Sequence, residues 1–93
     1  MSRVLLLFEC KRNDVMNRET EEKIGANIRR AREAAAMTQD KLAASLQLRG
    51  CDITRSAVAK IEVGQRHIYP DEIILIKEIL NISFDEIFYG ENR

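Results

Sequence analysis

Hydrophobic residues recur with helical spacing from Thr20 onward. The first stripe follows the i, i+4, i+7, i+11 pattern of one helix face and consists of Ile24, Ile28, Ala31 and Ala35. Thr20 stands before this stripe, and Glu21 and Glu22 come directly after Thr20, where a helix dipole favours acids. The pattern therefore predicts a first helix that is capped by Thr20.

Four shorter helices are predicted after the first one, each marked by a residue that starts or ends a helix. Thr38 and Thr54 are N-cap residues for the second and third helices, and Gly64 closes the third. Pro70 suits the first turn of the fourth helix, and Ser83 opens a capping box with Glu86 for the fifth. The predicted apolar faces are Leu42, Ala43 and Leu46, then Ala57, Val58 and Ile61, then Ile73, Ile76, Ile79 and Leu80 with Ile74 and Leu75 widening the stripe. The fifth helix carries Ile87 and Phe88. Five short helices joined by short loops predict a compact all-α domain over residues 20–90, followed by a tail at 91–93.

Residues 1–19 lack this helical period. The apolar run Val4–Phe8 suits a short strand, Lys11–Arg18 is polar without periodicity, and Met16 offers a second start. Two interpretations stay open: a dispensable, disordered extension, or a strand or arm at a dimer contact.

Charge is balanced over the whole chain but not along it. The 93 residues carry 15 basic and 15 acidic side chains, which argues against binding to nucleic acid through bulk positive charge. Between Lys23 and Arg66, however, nine basic residues face four acidic ones, and from His67 to Arg93 two basic residues face six acidic ones. This segregation allows a positive face on a neutral protein, and a solvated helical surface explains the count equally well.

The remaining composition narrows the class of protein. A hydrophobic share of 45% and this length fit one small globular domain. Cys10, Cys51 and the single His67 cannot supply the about four ligands of a zinc site, so no metal or cofactor is expected. Without a signal peptide or an apolar span of about 20 residues, we expect a cytoplasmic protein with reduced thiols and no membrane segment. An enzyme with a small-molecule substrate is the weakest candidate, because no nucleophile–base pair and no glycine-rich phosphate loop is recognisable.

The third predicted helix has the composition of a DNA-reading helix. A length of about nine residues spans about 13 Å, enough to lie across a major groove. Arg and Lys side chains bond guanine O6 and N7, and Ser and Thr hydroxyls reach phosphates or base edges. The outward positions are Thr54, Arg55, Ser56, Ala59 and Lys60. On composition alone, an ordinary amphipathic helix with a solvated polar face is the alternative.

Three motifs, in order along the chain, carry a resemblance to a known family. They are Ile28-Arg29-x-x-Arg32, then Thr38-Gln39-x-x-Leu42-Ala43, then Ile53-Thr54-Arg55-Ser56-x-Val58-x-Lys60-Ile61-Glu62-x-Gly64. With the likeness continuing through Leu80–Phe88, the chain resembles the phage Cro/repressor-type helix-turn-helix (XRE) family. The resemblance implies a five-helix, repressor-like fold in which the second and third helices form the helix-turn-helix.

The resemblance also implies function. It indicates a sequence-specific regulator of transcription that binds double-stranded DNA, and we expect a repressor acting as a homodimer on a palindromic operator. Family positions that read base edges correspond to Arg55, Ser56 and Lys60, and those at the DNA backbone correspond to Gln39, Thr54, Arg66 and His67.

Two packing expectations accompany the resemblance. Arg32 and Glu62 match positions that often pair in the family, and both adjoin predicted core residues. We expect them to form a bidentate ion pair that holds the third helix, with two exposed charges as the alternative. Part of the dimer contact is expected from Ile82, Phe84, Ile87 and Phe88, unless these residues merely close the monomer core.

One departure from the family lies between the two motif helices. The family joins them by a tight turn, whereas Gln47–Asp52 adds about five residues between Leu46 and Ile53. We expect either a longer second helix or a bulged turn, and either one would tilt the third helix. Arg49 in this insert is interpreted as a phosphate contact or as a solvated loop residue.

Two other functions use the same fold. One is an antitoxin-type protein-interaction module that neutralises a partner toxin and autoregulates its operon. The other is a DNA-targeting part of a larger assembly, with residues 1–19 as a docking strand. A neighbouring toxin gene or a co-purifying protein would separate the first of these from a repressor.

Overall fold

Five α-helices make up the described part of the chain. The structure is a computed structural model and describes residues 14–90. The helices are α1 (Asp14–Ala34), α2 (Gln39–Leu48), α3 (Arg55–Glu62), α4 (Pro70–Leu80) and α5 (Phe84–Tyr89). The predicted five-helix, all-α fold is confirmed, and the strand suggested for Val4–Phe8 lies outside the described residues.

The beginning of α1 differs from the prediction. The helix starts at Asp14, so Thr20 lies inside it and does not cap it. No glycine or proline interrupts the chain between these two residues, and Met16, Arg18 and Glu19 are good helix formers. The helix therefore continues toward the N-terminus past the residue that resembled a cap.

The other predicted caps are confirmed. The Thr38 hydroxyl accepts a hydrogen bond from the Lys41 amide at 3.0 Å, and the Thr54 hydroxyl accepts one from the Ala57 amide at 3.1 Å. The Ser83 hydroxyl accepts from the Glu86 amide at 3.0 Å. Pro70 is the first residue of α4. These bonds satisfy backbone donors that the helices themselves leave unpaired.

Left-handed residues follow the ends of all five helices: Ala36, Gly50, Gly64, Asn81 and Gly90. Gly64, with φ of 78°, follows α3, and the Gln65 amide donates back to the Lys60 carbonyl at 2.8 Å. Gly50 adopts the same left-handed conformation after α2, with φ of 87°. After α1 the equivalent residue is Ala36, with φ of 55°, and the turn that it makes leaves Ala35 exposed rather than in the predicted stripe.

One continuous core joins the helices. α1 packs against α3, α4 and α5, and α2 packs against α3 and α4. At the α1–α3 crossing the backbones nearly touch, because a Cβ on Gly25 would lie 2.1 Å from the Ile61 carbonyl oxygen. The buried hydrophobic residues are Ile24, Ile28, Ala31, Leu42, Ala43, Leu46, Ile53, Val58, Ile61, Ile68, Ile76, Leu80 and Ile87.

α5 is held to α1 by a buried polar contact. Asn27 of α1 donates from Nδ2 to the Ile87 carbonyl at 2.8 Å, and the Ile87 side chain has no exposed surface. Ile87 therefore closes the monomer core and is not available for the predicted dimer contact. Ile82 is half-buried against the core, whereas Phe84 and Phe88 keep 43% and 41% of their surface exposed.

Candidate nucleic-acid interface

The turn between α2 and α3 combines both predicted outcomes. α2 runs on to Leu48, and the chain then turns through Gly50, where the Cys51 amide donates to the Leu46 carbonyl at 2.9 Å. Gln47 donates from Nε2 to the Ile53 carbonyl at 2.7 Å, and the Ile53 side chain is buried. Both bonds join the lengthened turn to the last turn of α2.

Two side chains of the turn are engaged with the domain itself. Arg49 donates from Nη1 to Glu78 of α4 at 3.0 Å, across a largely exposed surface. Cys51 is half-buried, and burial, followed by the charges of Glu72 and Asp71, raises the pKa of its thiol. The thiol of Cys51 is therefore protonated near neutral pH, and Cys10 lies outside the described residues.

The outer face of α3 carries the predicted base-reading residues together. Arg55, Ser56 and Lys60 are all exposed, while Val58 and Ile61 of the same helix are buried. Arg55 Nε lies 3.7 Å from the Asp40 carboxylate of α2. This face has polar groups able to bond base edges, on a helix whose other face is fixed in the core.

A buried ion pair attaches the end of α3 to the end of α1. Arg32 donates from Nε to one oxygen of Glu62 at 2.7 Å and from Nη2 to the other at 3.1 Å. The hydrogen bond with Glu62 raises the pKa of Arg32, although burial opposes the rise. Both side chains are almost fully buried, so the guanidinium replaces the water that the carboxylate has lost.

The same carboxylate also holds the start of α2. Gln39 donates from Nε2 to a Glu62 oxygen at 3.0 Å, and Arg32 Nη1 donates to the Met37 carbonyl at 2.8 Å. Glu62 therefore connects the last turn of α3 with the first residue of α2, and Arg32 connects both with the α1–α2 loop.

Arg66 and His67, predicted near the DNA backbone, are paired with acids of the domain. Arg66 donates from both terminal nitrogens to Glu72, at 2.9 and 3.0 Å, and its guanidinium lies 5.8 Å from the Tyr69 ring centroid. The His67 ring bonds the Glu21 carboxylate through Nδ1. Both side chains would have to share or leave these partners to contact a phosphate.

Glu72 is a buried acid that stays ionised. Burial raises the pKa of Glu72. The hydrogen bonds from Arg66 and from the Tyr69 amide, the latter at 3.0 Å, lower it by more than burial raises it, so the net shift is downward from 4.5. The contact with Glu72 raises the pKa of Arg66 in turn. The pair fixes the loop that follows α3.

Comparison with protein families agrees with this arrangement. The family model described as "Helix-turn-helix" matches residues 28–87, which include α2, α3, α4 and most of α5. The chain belongs to the XRE-type helix-turn-helix family. Comparisons with curated proteins and with solved structures found no match.

Membership gives the helices their roles. XRE-type helix-turn-helix proteins are DNA-binding regulators of transcription rather than a typical enzyme family, and this chain is a regulator of that kind. α2 and α3 are the two helices of its motif, with α3 in the place of the recognition helix. Within residues 14–90, none of the helices combines the length and the apolar character that a membrane-spanning segment needs.

The acids that anchor the loop after the recognition helix are not evident from the sequence. By sequence, Glu72 is only a first-turn acid of α4, and Glu21 is only an acid beside the apparent cap of α1. Glu21 instead accepts hydrogen bonds from His67 and, at 2.8 Å, from the Ile68 amide. Arg66 and Glu72 are close in sequence, on either side of Pro70, and this spacing is a local indication of their pair. Nothing local in the sequence indicates the pair of His67 and Glu21.

Proposed function

We propose that the chain is a transcriptional repressor that binds a palindromic operator as a homodimer in the cytoplasm. One observation carries the proposal: α3 exposes Arg55, Ser56 and Lys60 while Arg32, Glu62 and Gln39 hold its other side to α1 and α2. A rigidly held helix presents its side chains to base edges at a fixed angle, as sequence-specific binding requires.

The exposure and helix positions of the site residues support the following division of labour. Arg55, Ser56 and Lys60 read base edges in the major groove. Gln39 and Thr54 lie at the first turns of α2 and α3, where backbone amides and a positive helix end favour a phosphate.

The roles of Arg66 and His67 at the backbone are retained as proposals, with a condition. Both are held by acids in the free protein, so a phosphate would have to compete with Glu72 for Arg66 and with Glu21 for His67. We therefore propose that they contribute less to DNA affinity than Lys60 does.

An antitoxin-type role is the second candidate. The rings of Phe84 and Phe88 are exposed on α5, and exposed aromatic surface favours contact with another protein. That protein is either a second copy of this chain or a partner toxin. A toxin that co-purifies in fixed ratio with the chain would support this role, and a chain that purifies alone and binds DNA as a dimer would support the repressor.

The test is selection of bound duplexes from a random library, followed by affinity measurements on the selected site. Arg55→Ala and Lys60→Ala should each cost about 1–3 kcal/mol on that site and relax the preference at one base pair. Arg29→Ala is the control, because Arg29 is an exposed arginine of α1 that pairs with Glu33. A selection that enriches no sequence would contradict the proposal.

The salt dependence of binding separates the two classes of contact. If Arg66 contacts a phosphate, Arg66→Ala should weaken binding to all duplexes alike and flatten the salt slope by about one unit. If Arg55→Ala instead weakens selected and unrelated duplexes equally, Arg55 is reassigned to the backbone.

A further inference from the structure

One exposed acid stands among the DNA-reading side chains of α2 and α3. These helices contain two acids, Asp40 and Glu62, and Glu62 is buried. The Asp40 side chain is 78% exposed and its Oδ1 lies 3.7 Å from Nε of Arg55, which is 65% exposed. A carboxylate at this position repels DNA phosphates, so bulk affinity does not explain it.

Stability explains Asp40 only in part. Asp40 lies in the first turn of α2, where the helix dipole favours an acid, but this does not explain why Arg55 lies beside it. Exposed ion pairs contribute little to folding. Arg55 is the first residue of α3, the end of a helix where the dipole disfavours a cation. Arg55 is therefore at a helix end that disfavours a cation, and Asp40 is an acid that disfavours DNA binding. Their proximity indicates that the two side chains function together when they contact DNA.

The atoms involved suggest what that role is. Asp40 approaches Nε, the inner nitrogen of the guanidinium, and this leaves both Nη groups for another partner. Guanine offers O6 and N7 as a pair of acceptors that matches two guanidinium N–H groups. The ion pair would strengthen as water leaves the interface, because the local dielectric constant falls.

We propose that Asp40 is a positioning residue that holds Arg55 for bidentate contact with a guanine and disfavours its use on phosphates. This rests on the proposed function of α3 as a DNA-reading helix. Asp40 thereby lowers affinity for unrelated DNA and raises the preference for guanine at one base pair, so its effect on sequence preference passes through Arg55.

The experiment measures affinity on three duplexes. The first is a site selected from a random library by the unaltered protein, the second has the G·C pair read by Arg55 replaced by A·T, and the third is unrelated in sequence. The pair read by Arg55 is the one at which Arg55→Ala loses its preference. The proteins are the unaltered chain, Asp40→Asn, Arg55→Ala and the double variant.

Asp71→Asn is the matched control. Asp71 is exposed and is the second residue of α4, as Asp40 is the second residue of α2. Both substitutions therefore remove one charge and the same type of favourable interaction with a helix N-terminus. Only the Asp40 change removes a carboxylate near Arg55.

The expected result is a change in preference as well as in affinity. Asp40→Asn should bind the unrelated duplex more tightly and lose about fivefold or more of its preference for G·C over A·T, while Asp71→Asn keeps that preference. In the Arg55→Ala background, Asp40→Asn should change the preference no further.

Two results would overturn the inference. The first is that Asp40→Asn keeps the full preference, even if it tightens binding to all three duplexes. The second is that it still shifts the preference without Arg55, which would mean that Asp40 contacts a base directly. A chain that selects no site at all would instead overturn the proposed function, so the two failures are distinct.

Discussion

Glu62 joins the recognition helix to both α1 and α2. Its two oxygens accept three hydrogen bonds, from two nitrogens of Arg32 and from Gln39. A buried carboxylate is tolerated only with such a set of donors, since removal from water costs several kcal/mol. The three helices that meet at this carboxylate are therefore bound to one another at a single point.

The first prediction concerns the loss of either partner. Glu62→Gln and Arg32→Met should each lower the free energy of unfolding by about 3–5 kcal/mol, because each leaves the other charge buried and unpaired. Thermal and denaturant unfolding measure this. Glu33→Gln is the control: it breaks the exposed Arg29–Glu33 pair on the same helix and should cost below about 0.5 kcal/mol. Losses for Glu62→Gln as small as the control's would contradict the prediction.

The second prediction concerns pH and the Arg66–Glu72 pair. The pKa of Glu72 is lower in the folded chain than its ordinary value of 4.5, so its contribution is complete above that pH and is lost as the pH falls through the folded value. Glu72→Gln should cost about 1–3 kcal/mol at pH 7, and the difference from the unaltered chain should shrink below about pH 4. Denaturant unfolding from pH 7 to pH 3 measures the difference. A constant difference over this range would show that Glu72 is not the titrating group.

Among the elements, the helix ends were the easiest feature to predict. Thr38, Thr54 and Ser83 cap their helices through bonds to the third residue beyond, an interaction that is contained in the local sequence. The start of α1 could not be predicted in this way, because Thr20 resembles a cap and no local residue stops the helix from extending to Asp14.

The contacts of the candidate site likewise fall into those that the local sequence predicts and those that depend on the tertiary fold. The exposed face of α3 follows from helical periodicity, whereas Glu21 reaches His67 and Ile68 across the fold, far along the chain. Such a contact depends on the angle between helices, and that angle depends on close approaches such as the one at Gly25. Periodicity in a single sequence carries no information about it.

The third prediction concerns backbone strain at Ala36, in the turn after α1. Ala36 adopts φ of 55°, a left-handed conformation that costs a residue with a Cβ about 1–2 kcal/mol. Ala36→Gly should raise the free energy of unfolding by about 0.5–1 kcal/mol, after the greater freedom of glycine in the unfolded chain is deducted. Gly50→Ala provides the reverse case, because Gly50 has φ of 87° and a Cβ added there would meet no atom within 4 Å, so its loss measures the backbone cost alone. Destabilisation by Ala36→Gly would contradict this account of the turn.

At the scale of the whole molecule, the core closes without the aromatic residues of α5. Ile87 fills the core, and Phe84 and Phe88 remain partly exposed, with Lys77 Nζ 5.2 Å from the Phe84 ring centroid. Fully burying an aromatic side chain covers about 150–250 Å², and a stable interface buries about 800 Å² on each partner. Two rings alone would therefore be too small for a stable dimer contact, which would require neighbouring surface around them.

The last prediction is that Phe88 contributes to self-association and so to operator binding. A second copy would bury the exposed part of the ring, and two recognition helices about one turn of DNA apart would then read the two half-sites together. Phe88→Ser should shift the chain toward monomer in analytical ultracentrifugation and weaken binding to a palindromic duplex more than to a single half-site. The helical structure should persist, because Phe88 is not among the buried residues of the core. Leu48→Ser is the matched control, since Leu48 is 89% exposed at the end of α2 and its loss should leave association unchanged. An unaltered chain that stays monomeric at high concentration and on its operator would contradict the prediction.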